Sequence, residues 1–90
     1  MSDVRLVSVI IPAYNVGFYL SKTIESCINQ SLTGIEIIIV NDGSTDNTKD
    51  IIEHYSKIDN RIIAIHKNNE GVTIARNTGL SISKGEFVFF

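Results

Sequence analysis

Ile35-Glu36-Ile37-Ile38-Ile39-Val40 is a six-residue stretch in which every position but Glu36 is apolar and β-branched. It does not alternate inward and outward residues, so it fits a parallel strand covered on both faces. Asn41-Asp42-Gly43-Ser44 follows and breaks it. Upstream, Leu6-Val7-Ser8-Val9-Ile10-Ile11 is a second such run, ending at Pro12, which cannot donate to a central sheet ladder. Downstream, Arg61-Ile62-Ile63-Ala64-Ile65 and Glu86-Phe87-Val88-Phe89-Phe90 read as two further strands.

Between these runs the apolar spacing changes from strand-like to helical. From Phe18 to Ser31, residues Leu20, Ile24, Cys27, Ile28 and Leu32 form an amphipathic stripe, and Gly34 supplies the stop. A second helix is predicted from a cap at Asp46, Asn47 or Thr48, with Ile51, Ile52, Tyr55 and Ile58 as its stripe up to Asp59-Asn60. After the polar loop Lys67 to Gly71 a third runs from Val72 to Ser83, with Val72, Ala75, Gly79 and Ile82 on one face, and Gly85 closes it. Strand and helix alternate with short connections, which predicts an α/β fold: three layers, a mostly parallel sheet with helices on both faces. The last strand reads as cut short at Phe90, and the apolar edge Phe87 to Phe90 is expected to favour self-association.

Composition bounds the function. The 90 residues carry a net charge of −2, 43% apolar and 20% charged residues, the profile of a folded unit with no basic field to draw nucleic acid. No nucleic-acid partner is expected. At this length a chain buries only about 60% of its unfolded surface, so the core is small. No apolar run approaches the roughly 20 residues of a membrane span, and the amino terminus lacks the pattern of a signal peptide, which makes a cytoplasmic setting the expectation. The single Cys27 has no partner for an internal disulfide and reads as a buried helix position. His54 and His66 share no metal-binding motif and are assigned to neither catalysis nor metal.

In a sheet of this kind ligands sit beyond the carboxyl ends of the strands, which directs attention to Pro12–Asn15, Asn41–Thr45 and His66–Gly71. Pro12-Ala13-Tyr14-Asn15 lacks the glycine fingerprint of a dinucleotide site, and the chain has no phosphate loop of the G-x-x-x-x-G-K type. Tyr14 offers an aromatic face on which a base can stack, and Pro12 fixes the backbone that meets its edge, unless the loop is a plain turn with a packed Tyr. Asp42, beside the turn-permitting Gly43, is placed to accept from a base N–H or a ribose hydroxyl, or else to bond the amides of its own turn. The run Asp42-Gly43-Ser44-Thr45 is similar to the nucleophile loop of aspartate-based phosphatases. That chemistry needs a second acid where Val40 stands, which excludes it. Arg76, in the second turn of the third helix, presents a guanidinium suited to phosphate oxygens or simply lies in solvent. The helix amino terminus after Asn69-Glu70-Gly71 also favours anions.

Taken together, Val7-Ser8-Val9-Ile10-Ile11-Pro12-Ala13-Tyr14-Asn15, Val40-Asn41-Asp42-Gly43-Ser44-Thr45-Asp46, Asn69-Glu70-Gly71, Ala75-Arg76-Asn77-Thr78-Gly79 and Gly85-Glu86-Phe87 resemble the amino-terminal half of the family 2 inverting glycosyltransferases, in order and spacing. The resemblance implies the Rossmann-like, nucleotide-binding half of a GT-A fold across residues 1–90, with the acceptor-binding half absent. It implies that Pro12, Ala13, Tyr14, Asn15, Asp42, Gly43 and Arg76 hold a nucleotide sugar, commonly a UDP-sugar, donated to a saccharide, lipid or protein acceptor with inversion. The family's Asp-x-Asp motif would begin just beyond Phe90. Mn²⁺ or Mg²⁺ is therefore expected in the intact enzyme, no metal in this chain, and no catalytic residue within it. Many members work at the cytoplasmic face of a membrane, although nothing between Met1 and Phe90 shows an anchor. Two other readings stand beside it. A nucleotidyltransferase would carry a glycine-rich, basic loop where Pro12 to Asn15 stands, and a non-enzymatic α/β binding or interaction module would show no nucleotide response.

Overall fold

The computed structural model describes residues 7–29 and 34–85, and the backbone of 87–89. Elements follow in the order β1 (Val7–Ala13), α1 (Gly17–Ile28), β2 (Ile35–Asp42), α2 (Thr48–Ile58), β3 (Ile62–Lys67), α3 (Val72–Ile82) and β4 (Phe87–Phe89). The expected contributions of Leu6, Ser31, Leu32, Glu86 and Phe90 lie outside the described residues.

The strands form one parallel sheet in the order β3-β2-β1-β4. All eight residues of β2 are buried, as its unbroken apolar run requires of an interior strand. On one face, Ile35, Ile37 and Ile39 pack with Leu20 and Ile24 of α1 and with Ile52 and Tyr55 of α2. On the other, Ile38 and Val40 join Ile10 and Ala75 beneath α3. The crossovers through α1 and α2 step one way along the sheet, whereas β3-α3-β4 travels back over β2 and β1. With a constant crossover hand, that reversal puts α3 on the opposite face and produces the three layers. Gly79 lets α3 come close: a Cβ there would stand 2.5 Å from Cγ2 of Ile10.

Several boundaries differ from the sequence reading. β1 runs through Pro12 to Ala13, pairing with Val40 and Asn41. The Val7 amide donates to Gly34 on the β2 side (2.8 Å), and successive amides alternate, so the missing N–H of Pro12 faces the β4 side. Pairing with β4 ends at Val9 in the described residues, and no ladder bond is broken. β3 extends two residues beyond Ile65 because His66 and Lys67 pair with Asn41 and Asp42. Ile58 is 65% exposed: it lies about 120° around α2 from Ile52, off the face that meets the sheet. Cys27 is half-buried against the core. Glu36 is a buried acid whose carboxylate accepts from the Ser8 hydroxyl (2.5 Å) and the Lys84 amide (2.7 Å), while Ser8 Oγ accepts from Gly85 (2.9 Å). These bonds tie the segment leading into β4 to β1 and β2.

Candidate functional site

A cleft of about 320 Å³ opens at the carboxyl edge of the sheet, on the α3 side. One wall is the end of β1 and the loop after it, with Pro12, Ala13, Tyr14 and Val16. Asp42 reaches it from the tip of β2, and Asn69, Gly71, Val72 and Ala75 close it from the β3–α3 connection and the first turn of α3. Tyr14 is half-exposed at the mouth, and Asp42 is 3% exposed.

Both oxygens of Asp42 are engaged. Oδ1 accepts from the Glu70 amide (2.8 Å) and Oδ2 from the Gly71 amide (2.9 Å), while Asn69 Nδ2 donates to the Asp42 carbonyl (3.0 Å). Lys67 Nζ lies 3.8 Å from Oδ1 and also pairs with Glu70. The carboxylate therefore bonds amides of a loop 28 and 29 positions further along the chain, not those of its own turn. Those amides precede α3, where an open anion site was expected. The aspartate fills that role itself. A carboxylate offers about four acceptor directions and two amides use two of them, so acceptor capacity remains for an N–H or hydroxyl entering the cleft.

The β1–α1 and β2–α2 loops are lashed together. Asn15, at φ 51° in the left-handed region that Asn tolerates, accepts on Oδ1 from the amides of Thr45 (2.7 Å) and Asp46 (3.2 Å). Its own amide donates to Ser44 Oγ (3.0 Å). Asp46 accepts from Gly17 N (3.1 Å) and from the amide and hydroxyl of Thr48, and the Val16 amide donates to that hydroxyl (3.0 Å). The Thr48 hydroxyl above all, then the Thr48 and Gly17 amides, hold the Asp46 carboxyl below the usual carboxylate range. Asp46 thus caps α2, and Asn47, at the boundary, makes no side-chain cap.

Of the residues singled out from sequence, Pro12, Ala13, Tyr14 and Asp42 meet in the cleft. Asn15 and Gly43 do not line it; they shape the turns around it. Gly43 has φ 73°, and a Cβ there would lie 2.5 Å from the Asn69 backbone nitrogen. Arg76 follows Ala75 on the exposed side of α3, outside the cleft lining. Val72 and Ala75 had been read only as a helix stripe, yet their upper edge forms the cleft wall. Among the described residues no three His, Cys, Asp or Glu side chains converge as a metal site, and no helix is long and apolar enough to cross a membrane.

Against known proteins, this chain is 46% identical over 84 residues to the glycosyltransferase GlyA of Streptococcus pneumoniae, covering 93% of the chain and 12% of GlyA. It is similar to Staphylococcus aureus TarS 1-349, solved in complex with UDP, at 31% identity and a TM-score of 0.76, covering 92% of the chain and 25% of that structure. The fold matches a mannosyltransferase of Pyrobaculum calidifontis, solved with GDP-Man and Mn²⁺, at a TM-score of 0.86 and 24% identity, over 93% of the chain and 26% of that structure. The chain spans about a quarter or less of each of these proteins. Residues 8–90 match the family model described as glycosyl transferase family 2, and the chain belongs to that family.

Proposed function

We propose that residues 1–90 are the nucleotide-sugar-binding part of a glycosyltransferase that transfers a sugar from a nucleotide donor, UDP-linked, to a saccharide, lipid or protein acceptor with inversion. The observation that carries this reading is Asp42: a buried carboxylate lining the cleft, with acceptor capacity left over, in the same cleft as the half-exposed Tyr14. Such a pair suits a planar base that presents an N–H along one edge and a π-face to the ring. The UDP in the TarS structure supports the choice of nucleotide. In this reading Pro12, Ala13, Tyr14 and Asp42 contact the base and ribose, Asn15 and Gly43 hold the turns that present them, and Arg76 meets the nucleotide from α3. The Mn²⁺ in the Pyrobaculum structure supports a divalent cation in the whole enzyme. Its ligands and the general base would come from outside the described residues, so this chain alone binds nucleotide weakly at most and transfers no sugar. The cytoplasmic side is the proposed place of work.

The test is a titration of the isotopically labelled chain with UDP, with and without Mg²⁺, followed by NMR. Shifts at Tyr14, Asp42 and their neighbours, weakened in Tyr14→Ala and Asp42→Asn, support the reading. No shift in a folded sample, with or without the cation, counts against it.

A further inference from the structure

We infer that His66 is a positioning residue for the cleft, acting through Asn41, and that its neutral form protonated on Nε2 holds the Asp42 turn in place. The tautomer follows from partners that each have only one role. The Ser44 amide can only donate, so the Asn41 atom facing it at 3.1 Å is the carbonyl Oδ1. That leaves Asn41 Nδ2 toward His66 Nδ1 at 3.0 Å. An amide NH₂ only donates, so Nδ1 accepts and carries no proton. At the opposite side of the ring, Nε2 meets the Glu53 carboxylate at 3.1 Å; a carboxylate only accepts, so Nε2 holds the proton.

Protonation of Nδ1 sets two donors against each other. Asn41 must then draw back, or turn its amide over and present NH₂ to the Ser44 N–H. Drawing back loses the Asn41–His66 bond, and turning over loses the Ser44 amide's bond to Asn41, so the anchor of the 41–46 turn is weakened in either case. Asn41 is 4% exposed, so water does not readily replace it. The consequence reaches both walls of the cleft. Asn41 adjoins Asp42, and Ser44 Oγ receives the amide of Asn15, whose neighbours Tyr14 and Val16 line the opposite side. The groups facing the ring are Asn41 from β2 and Glu53 from α2, with Lys49 and Lys57 acting on Glu53 along that helix; Lys67, next along β3, is turned to Asp42 and Glu70. The protonation state of the ring decides whether the turn is held.

The effect on binding rests on the nucleotide reading of the cleft; the tautomer and its link to Ser44 do not. The experiment is an NMR titration of the labelled chain from about pH 8 to about pH 5, where histidines change charge, following the His66 ring nitrogens, the Ser44 amide and the Asn41 side-chain amide. Uridine, which has no group titrating in that interval, is the binding probe. His66→Asn is the paired variant, since its Oδ1 takes the place of Nδ1 as an acceptor that does not titrate. The expected result is an Nε2–H ring at high pH and Asn41 and Ser44 signals that move with His66 protonation. Uridine binding should weaken three- to tenfold, roughly one lost hydrogen bond, and all of these changes should be absent in His66→Asn. An Nδ1–H ring, a Ser44 signal that ignores His66, or the same shift in His66→Asn overturns the inference. If the variant fails to fold, the wild-type titration decides alone. Absence of uridine binding at every pH, with Ser44 still following His66, removes the nucleotide reading and upholds the positioning role.

Discussion

Replacing Gly43 by alanine tests how closely the β3–α3 loop is pressed onto the tip of β2. Two costs add. An L side chain at φ 73° takes about 1–2 kcal/mol of left-handed strain. The new Cβ also falls 2.5 Å from the backbone nitrogen of Asn69, and backbone cannot swing aside as a side chain does. The loop must lift, which breaks the bonds from Asn69 Nδ2, Glu70 N and Gly71 N to Asp42. Such bonds contribute about 0.5–1.5 kcal/mol each, and on an exposed loop water recovers part of that, so about 2 kcal/mol is lost. The sum is about 3–4 kcal/mol, against a total on the order of 5–13 kcal/mol for a chain of this size. The control is Gly71→Ala, whose φ of 101° imposes about 1–3 kcal/mol of strain but whose Cβ meets nothing within 4 Å. Thermal unfolding should show Gly43→Ala lower in Tm by on the order of 15 °C, clearly more than Gly71→Ala, and hydrogen exchange should show the Glu70 and Gly71 amides deprotected. A loss no greater than in the control, with both amides still protected, would refute the close approach on which the cleft depends.

Removing the Glu36 carboxylate (Glu36→Ala) strands the Ser8 hydroxyl and Lys84 amide in a buried setting and should cost about 1–3 kcal/mol in urea unfolding, with Glu36→Gln milder; a neutral Glu36→Ala would mean the staple before β4 is idle. The carboxyls of Asp46, held down by Thr48, and of Asp59, held down by Arg61, have depressed values in the fold, so the stability they contribute is present above the ordinary carboxylate value and lost as the pH falls below about 4. Asp46→Asn and Asp59→Asn should flatten that acid-side decline, and an unchanged profile would contradict it. Burial pushes the Cys27 thiol up, so it should react with a thiol reagent at neutral pH more slowly than free cysteine; equal rates would show the site to be open. Tyr14→Ala should leave the melting temperature in place yet weaken uridine binding by about 1–3 kcal/mol, the range of one base–aromatic stack, and unchanged affinity would remove Tyr14 from the site.

The strands and helices were legible where burial leaves one period visible. The unbroken run of β2 announced a strand covered on both faces, and Ala75 and Gly79 announced a helix packed close to the sheet. What could not be read were facts set by distant partners. Whether Pro12 ends β1 depends on where β4 stops pairing, and whether Ile58 is buried depends on which side of α2 meets the sheet. In the site, Tyr14 and Asp42 were legible because they stand at strand tips, whereas Asn69 was seen as part of a polar loop. The signal for its proximity was the pair of glycines, Gly43 and Gly71, bracketing a contact between segments far apart in the chain.

Asp42 combines two duties that a single alanine substitution would confuse. Its oxygens clamp the loop that forms one wall of the cleft, and the same oxygens are the acceptors proposed for the nucleotide. Removing the side chain abolishes the wall and the acceptor together, so lost binding in Asp42→Ala says nothing about contact with the ligand. Asparagine keeps one carbonyl acceptor for the loop and changes the other position to a donor. That donor faces one of the two loop amides as well as any base N–H, so the wall rests on the one amide bond that remains and on Asn69 Nδ2 at the Asp42 carbonyl. The geometry therefore separates the two duties. Loss of protection at both the Glu70 and Gly71 amides reports a collapsed clamp, and weakened binding with one of the two still protected reports the nucleotide contact.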